Sequence, residues 1–282
     1  IGENVLIPLI NRAIPIIADS HVEKDFGTGC LKITPAHDIN DFEIGKRHDL
    51  KSINIFDESA CLNENCPQDL QGLSREKARA EVIKRLKDQA LLIKKETIKN
   101  SVPYSERSKV PLEPRLSKQW FVKMKDLAKP AILAAKEGKL NFFPDSWKKT
   151  YLHWLENVED WCISRQLWWG HQIPVWTCQN CKTVHASLSA PKECSNCHKE
   201  ELIQDPDVLD TWFSSWLWPL SPFGWPEESK DLKLFFPSAV LITGADIIYL
   251  WVARMVMASY YLKGELPFKD LYFNAIICDS QG

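Results

Sequence analysis

Ala239-Val240-Leu241-Ile242-Thr243-Gly244-Ala245-Asp246 is a β-rich run that stops at a glycine and hands over to an acidic residue. Asp246 to Leu262 then carries apolar residues on most faces, as a buried helix does, and Leu271 to Cys278 is a second strand-like run. Strand, buried helix and strand in this order make a βαβ unit, which predicts a parallel sheet with a right-handed crossover. Ligands of open α/β sheets bind beyond the carboxyl ends of the strands, so the Gly244-Ala245-Asp246 turn is a candidate ligand contact. A single glycine turn is weak as a phosphate signature on its own.

Upstream of this unit the chain changes character. Val5-Leu6-Ile7, Ile14 to Ala18, Cys30 to Thr34 and Ile53 to Phe56 read as strands, punctuated by Pro8, Pro15, Gly27 and Gly29. Residues 38–49 read as a helix capped by Asp38, with Asp41 in its first turn. A second helix runs from Ser74 to about Gln89, with Ala78, Val82, Leu86 and Ala90 as its apolar stripe. Together these predict an α+β domain that ends near residue 100. Further helices are expected around Met124 to Glu137 and from Asp145 or Ser146. Trp147, Trp154, Trp161 and Trp168 recur every seven residues, but the run is too short and too polar for a coiled coil. Trp147 and Trp154 are expected in a core.

The 282 residues have a formal net charge of −2, with 45% hydrophobic and 26% charged residues. That ordinary balance excludes a disordered tail, a fibre and a global basic field for nucleic acid. No apolar run in the C-terminal third approaches the ~20 residues of a membrane span, and no signal peptide is visible. The 12 Trp require a large core or an aromatic-walled site, and 9 Cys spread over a long chain do not suit a secreted disulfide scaffold. Residue 1 is Ile, and the chain stops at Ser280-Gln281-Gly282 directly after a strand-like run, so a fragment of a cytoplasmic protein, cut at both ends, is expected.

Four constellations carry chemistry. Cys178-x2-Cys181-x12-Cys194-x2-Cys197 offers four thiolates from two tight knuckles, a set that suits tetrahedral zinc. Four protein ligands leave no open position, so such a zinc is structural; His185 and His198 are alternative ligands. In the run Phe26-Gly27-Thr28-Gly29 to Asp41, Lys32 and Thr34 share one strand face, and Asp38 and Asp41 lie on the first helical turn. These four could converge on a small ligand bearing an ammonium group; equally, Asp38 is a plain N-cap and Asp41 completes a box-like cap. The Glu156 to His171 run is too dense in charge and aromatics for a plain core helix, and its Cys162 reads as an inert thiol. The fourth constellation is Asp210-Thr211-Trp212-Phe213-Ser214-Ser215 with Gly244, Asp246 and Trp251. No Ser-His-Asp or Cys-His set is legible, which argues against covalent catalysis.

These blocks resemble the valyl-tRNA synthetases, a family of class I aminoacyl-tRNA synthetases. The likeness runs through Gly27-Thr28-Gly29 to His48, Val102-Pro103 with Ser105 to Ser108, Gln119 to Met124, Asp160 to His171, Asp207 to Ser215, and Asp246 to Met255. The isoleucyl family, the nearest alternative, typically has His where this chain has Lys32 and lacks the Ala36-His37-Asp38 run. A third alternative is a non-catalytic module that binds tRNA ends or zinc.

The resemblance implies the second half of a split Rossmann-type parallel sheet, part of an α+β, β-rich editing domain, and a zinc ribbon. The divisions expected are 1–100 for the N-terminally truncated editing domain, 101–155 for a connector, 156–175 and 205–282 for the partial Rossmann domain, and 176–204 for the ribbon. It further implies ATP-dependent activation of valine, with Mg accompanying ATP, and transfer of valine to its tRNA by a monomeric enzyme without membrane contact. Trp212 and Trp251 would wall the valine side chain, and Asp246 with Gly244 would contact the adenylate. Asp160-Trp161 and Ser164-Arg165-Gln166 would support that site.

A hydrophobic pocket rejects the added hydroxyl of threonine only weakly, so a second, hydrolytic site is required. There Asp41 would hold the α-ammonium group, Lys32, Thr34 and Asp38 would read the threonine hydroxyl, and Phe26 would pack near the terminal adenine. The ester is already activated, so an oriented water suffices and no nucleophilic side chain is needed. The chain carries neither a His-Ile-Gly-His-type motif nor Lys-Met-Ser-Lys-Ser, so no aminoacylation by the chain alone is expected. Cys30 and Cys66 stand where small residues are expected and read as packing substitutions.

Overall fold

The computed structural model describes residues 1–97, 99 and 101–279; the chain end at Ser280-Gln281-Gly282 lies outside the described residues. The chain forms two compact units, Ile1–Lys118 and Gln119–Gly282.

The first unit holds strands β1 (Asn4–Ile7) and β2 (Arg12–Pro15) and helices α1 (Ile39–Arg47) and α2 (Arg75–Asp88). β1 and β2 form an antiparallel hairpin with Asn4 opposite Pro15 and Ile7 opposite Arg12. α1 begins where the sequence places it, because the Asp38 carboxylate accepts the Asp41 N–H at 3.0 Å. Leu62, Leu70 and Ala78 form a small core with Ile55, Phe56, Leu73 and Val82 around it. Ala90, the last position of the expected α2 stripe, is exposed beyond the helix end.

Two expected strands are absent as ladders. Cys30–Thr34 is extended but unpaired, and the reason is local: the Cys30 N–H turns to the Thr28 hydroxyl and the Thr34 N–H to the Asp41 carboxylate. In the Ile53 to Phe56 run only Phe56 makes a bridge, to Leu62, while the Asn63 amide donates to the Asn54 and Phe56 carbonyls. β2 also stops at Pro15, short of the Ala18 read from sequence.

The second unit holds β3 (Phe121–Val122), α3 (Met124–Lys136), β4 (Asn141–Phe143), α4 (Ser146–Glu156), β5 (Trp161–Cys162), β6 (Ser164–Arg165), β7 (Val175–Cys178), β8 (Val184–Ala186), β9 (Leu202–Gln204), β10 (Val208–Leu209), α5 (Thr211–Ser215), α6 (Lys230–Phe235), β11 (Ser238–Gly244), α7 (Arg254–Lys263) and β12 (Phe268–Asn274). β11, β12 and β4 make a parallel sheet in that order, with Leu241, Leu271 and Phe142 in register. The βαβ reading therefore holds. Its second strand ends at Asn274, and Ile276 and Ile277 beyond it are exposed. The crossover is not one regular helix: Ala245–Ile247 is a 3-10 turn and Ile248–Ala253 a π-helical stretch before α7.

One face of the sheet is buried. Phe142 and Leu271 of that face, joined by Phe268 at the start of β12, pack with Ala128, Ala131 and Ala135 of α3, Tyr151 and Leu155 of α4, and Met255 and Val256 of α7. The alanines let α3 approach its neighbours closely, while the larger residues fill the space between. Trp147 joins this cluster, with its ring 5.8 Å from that of Phe273. Trp154 does not belong to the core as expected: it is 48% exposed and stacks on Tyr249 with ring centroids 4.9 Å apart. Trp161 is buried on β5, and Trp168 is fully exposed.

The divisions differ from those read in the sequence. The first unit extends past residue 100, since Tyr104 bridges Pro111, Arg75 Nη1 reaches Glu113 at 2.6 Å and the His37 ring meets the Pro114 carbonyl at 2.9 Å. The supposed connector beyond it supplies β4, the third strand of the sheet, together with α3 and α4. Short connector-like composition hid that role, because a three-residue strand leaves no visible period.

Leu271 is fully buried, so Leu271→Ala is expected to cost about 2–5 kcal/mol in denaturant unfolding. Tyr261→Ala, at a 75% exposed site two turns along α7, is expected to stay within about 0.5 kcal/mol.

Candidate functional site

The second unit places the fourth constellation around one buried carboxylate. Asp210, 6% exposed, accepts the Trp161 indole N–H at 3.0 Å and the Arg165 guanidinium at 2.6 Å on Oδ2. Its Oδ1 accepts the Trp212 backbone N–H at 3.0 Å and so caps α5. α5 is a helix of five residues and cannot hold itself by propensity; cap and packing fix it. Its other end is held by the Trp251 indole, which donates to the Ser215 carbonyl at 3.0 Å. The two tryptophans singled out as pocket walls thus sit on one tied framework, Trp212 on α5 and Trp251 on the π-helical stretch. A π turn widens the helix and re-aims side chains, which places Trp251 against α5.

Gly244 ends β11 at the carboxyl edge of the sheet, and exposed Asp246 follows it. The Gly244 backbone is ordinary extended chain with φ −72°, and a Cβ there would meet the Asp246 carboxylate, which would have to turn aside. The Asp160 to Gln166 block is tied to the stretch before α3. Ser164 Oγ donates to Gln119 at 2.6 Å and accepts the Trp120 N–H, Gln166 bridges Gln119 and Asp207, and Asp160 accepts the Met124 N–H at the start of α3.

In the first unit, Lys32, Thr34, Asp38 and Asp41 are brought together. Lys32 Nζ donates to the Thr34 hydroxyl, the Thr34 N–H donates to Asp41 at 2.6 Å, and the Asp41 N–H donates to Asp38. Asp38 is therefore an N-cap, whereas the Asp41 carboxylate does not close a capping box but reaches back to the extended run before the helix. Asp41 is buried, while Lys32 and Asp38 face solvent. Phe26 lies on the neighbouring glycine turn and is 79% exposed.

The His37 tautomer follows from its two partners: Nε2 accepts the Ile55 N–H, so Nδ1 carries the proton and donates to the Pro114 carbonyl. A cavity of about 1080 Å³ adjoins the extended run, lined among others by Ile14, Lys32, Ile33 and Ile53.

The four cysteine sulfurs lie within 4.8 Å of one another. Cys178 and Cys197 are 3.5 Å apart, as are Cys181 and Cys194. Tetrahedral thiolates on zinc stand about 3.8 Å apart, so the set fits a closed four-sulfur metal centre. The two knuckles are built alike. Lys182 and His198, each following the second cysteine, are left-handed, and each donates its N–H to the carbonyl of the first cysteine, Cys178 or Cys194. The Thr183 hydroxyl, 3.1 Å away, and the Thr183 backbone N–H bring the Cys181 thiol down to about 5, toward the thiolate a metal requires. His185 touches Cys194 at 3.3 Å from outside the set, and His198 pairs with Glu193.

Two groups escaped the sequence reading. Arg254 is buried on the Trp161 ring, and no motif of spacing announces it. Asp19 accepts Arg47 at 2.8 Å and His48 at 2.8 Å, which ties the C-terminal end of α1 down. Its partners are 28 and 29 residues distant, so only the fold reveals it. The Arg47 guanidinium, with the His21 N–H and the His48 ring, holds the Asp19 carboxyl well below the usual carboxylate range.

A depressed carboxyl stabilises the folded form above its unfolded value of about 3.9 and loses that contribution as pH falls through the folded value. Amide protection at the end of α1 is therefore expected to weaken progressively below about pH 4, and Asp19→Asn is expected to show the weakened protection already at neutral pH; hydrogen-exchange mass spectrometry reads both.

Residues 31–282 match the family of class I tRNA synthetases (I, L, M and V). Over all 282 residues the chain is 52% identical to the valine–tRNA ligase of Treponema denticola and 53% identical to that of Carboxydothermus hydrogenoformans, spanning 31% and 32% of their lengths. The valine–tRNA ligase of Clostridium tetani is 50% identical over the same 282 residues, which are 32% of its length. A solved Mycobacterium tuberculosis methionyl-tRNA synthetase in complex with methionyl-adenylate is more distant, at 18% identity and a TM-score of 0.41 over 61% of this chain and 29% of that one. With the family matched along nearly its whole length, the chain belongs to the class I tRNA synthetases.

Proposed function

We propose that the chain is part of a valine–tRNA ligase, which activates valine with ATP and Mg, transfers it to its tRNA and hydrolyses mischarged threonyl-tRNA. The observation that carries this reading is identity of about half of all residues to valine–tRNA ligases along the entire chain. In it, Trp212 and Trp251 wall the valine side chain and Gly244 with Asp246 meets the adenylate. Adenylate formation is in-line displacement at phosphorus, so the protein contributes positioning and charge stabilisation, and a tied aromatic framework suits the first.

The Lys32, Thr34, Asp38 and Asp41 group is the proposed editing site. Its buried Asp41 still has a second carboxylate oxygen for an ammonium group, and Lys32 with Thr34 offers donors to a hydroxyl that valine lacks. Phe26 is exposed and free to meet a base. The four cysteines hold a structural zinc, and the two matched knuckles support that assignment.

The test of function is a chimera in which this chain replaces the matching segment of the Carboxydothermus hydrogenoformans ligase. Valine-dependent ATP–pyrophosphate exchange and valyl-tRNA formation are expected, with no exchange by the chain alone; preference for isoleucine, or robust exchange by the chain alone, contradicts the reading. In the same chimera Asp41→Ala and Lys32→Ala are expected to accumulate threonyl-tRNA, and normal deacylation by both removes the editing assignment. Stripping zinc is expected to abolish amide protection over residues 176–204, because zinc binding in small modules supplies about 10–16 kcal/mol. Unchanged protection after chelation contradicts a structural zinc.

A further inference from the structure

Arg254 opens α7 with only 4% of its surface exposed, yet its Nε and Nη1 have no hydrogen-bond partner among the described residues. Burial lowers its pKa, so the charged form is held at a cost. A methionine would fill much of the same space without that cost. Besides the Tyr249 side chain and the charge of Asp210, the guanidinium has aromatic contact: Cζ lies 3.6 Å from the centre of the Trp161 ring and 5.3 Å from that of Tyr249. A cation over an indole face is attracted by the ring and makes the indole N–H a stronger donor. That N–H is the one given to Asp210, whose other oxygen caps α5.

We propose that Arg254 is a positioning residue: its planar face clamps the Trp161 indole onto Asp210 and thereby fixes the α5 turn that carries Trp212. The assignment rests on the reading of Trp212 and Trp251 as amino-acid walls for its consequence in binding, but the clamp itself does not. Arg is better suited to the role than Lys, because a planar delocalised cation stacks on an indole whereas an ammonium brings only its charge. The clamp also accounts for the polar residue interrupting the apolar run Ile247 to Ala253, since a residue serving only to fill the core would be apolar.

The experiment uses the chain with nitrogen-15 in its tryptophan indoles, the Trp161 signal being assigned with Trp161→Phe. Hydrogen exchange of that indole and the melting temperature of the chain, together with the affinity of the chimera described above for a non-hydrolysable valyl-sulfamoyl adenosine, are compared in wild type, Arg254→Met and Arg254→Lys. Arg254→Met is expected to melt at or above the wild-type temperature, while Trp161 exchanges about tenfold faster and the analogue binds about tenfold more weakly, with partial recovery in Arg254→Lys. Wild-type exchange in Arg254→Met, or faster exchange that merely follows a lowered melting temperature, overturns the proposal. If Trp161 responds as expected but the wild-type chimera and its Arg254→Met form bind the analogue equally well, the clamp stands and the amino-acid wall assigned to Trp212 falls.

Discussion

The Asp210 carboxylate gathers three stretches of the second unit: the Trp161 indole from β5, the Arg165 guanidinium from β6 and the Trp212 N–H from α5. A buried carboxylate is costly unless its oxygens are met by donors, and here three donors meet them. The consequence is geometric. β6 pairs with β10 immediately before Asp210, so the strand pair, the short helix and the aromatic cluster of Trp161, Phe213 and Trp216 share one anchor. Trp251 closes the framework from the other end of α5. The parallel sheet then supplies the carboxyl edge at which Gly244 and Asp246 emerge.

The first unit obeys the same rule on a smaller scale. It has little regular ladder, and its extended run is held by side chains: Asp41 takes the Thr34 N–H, Asp38 caps α1, and Asp19 grips the far end of that helix. The residues proposed to read the threonyl group are therefore also those that hold their own backbone. Cap and ligand contact are compatible, because a carboxylate has more acceptor sites than one N–H uses. The four cysteines form a separate cluster, set by two repeated knuckles beside the three-stranded sheet of β7, β8 and β9.

Much of this was legible in the residues. The βαβ unit showed itself by length, β-rich ends and a glycine turn, and Asp38 and Ser74 marked helix starts correctly. The cysteine spacing announced the four-sulfur cluster, since ligand spacing is local. What failed was non-local. Cys30–Thr34 has strand composition, but local side-chain bonds take its N–H groups; β4 is too short to show a period; Trp154 looks like core by heptad spacing yet lies half out against Tyr249. Arg254 and Asp19 carry no spacing signal, because their partners are brought by the fold alone.

The dependence of the α5 framework on Asp210 is the central claim, and native-state exchange of the Asp210→Ala chain measures it directly. The Trp212 amide is expected to lose protection selectively, while the amides of β12, in the centre of the sheet, keep theirs. An unchanged Trp212 amide, or equal loss of protection in α5 and β12, would contradict the account.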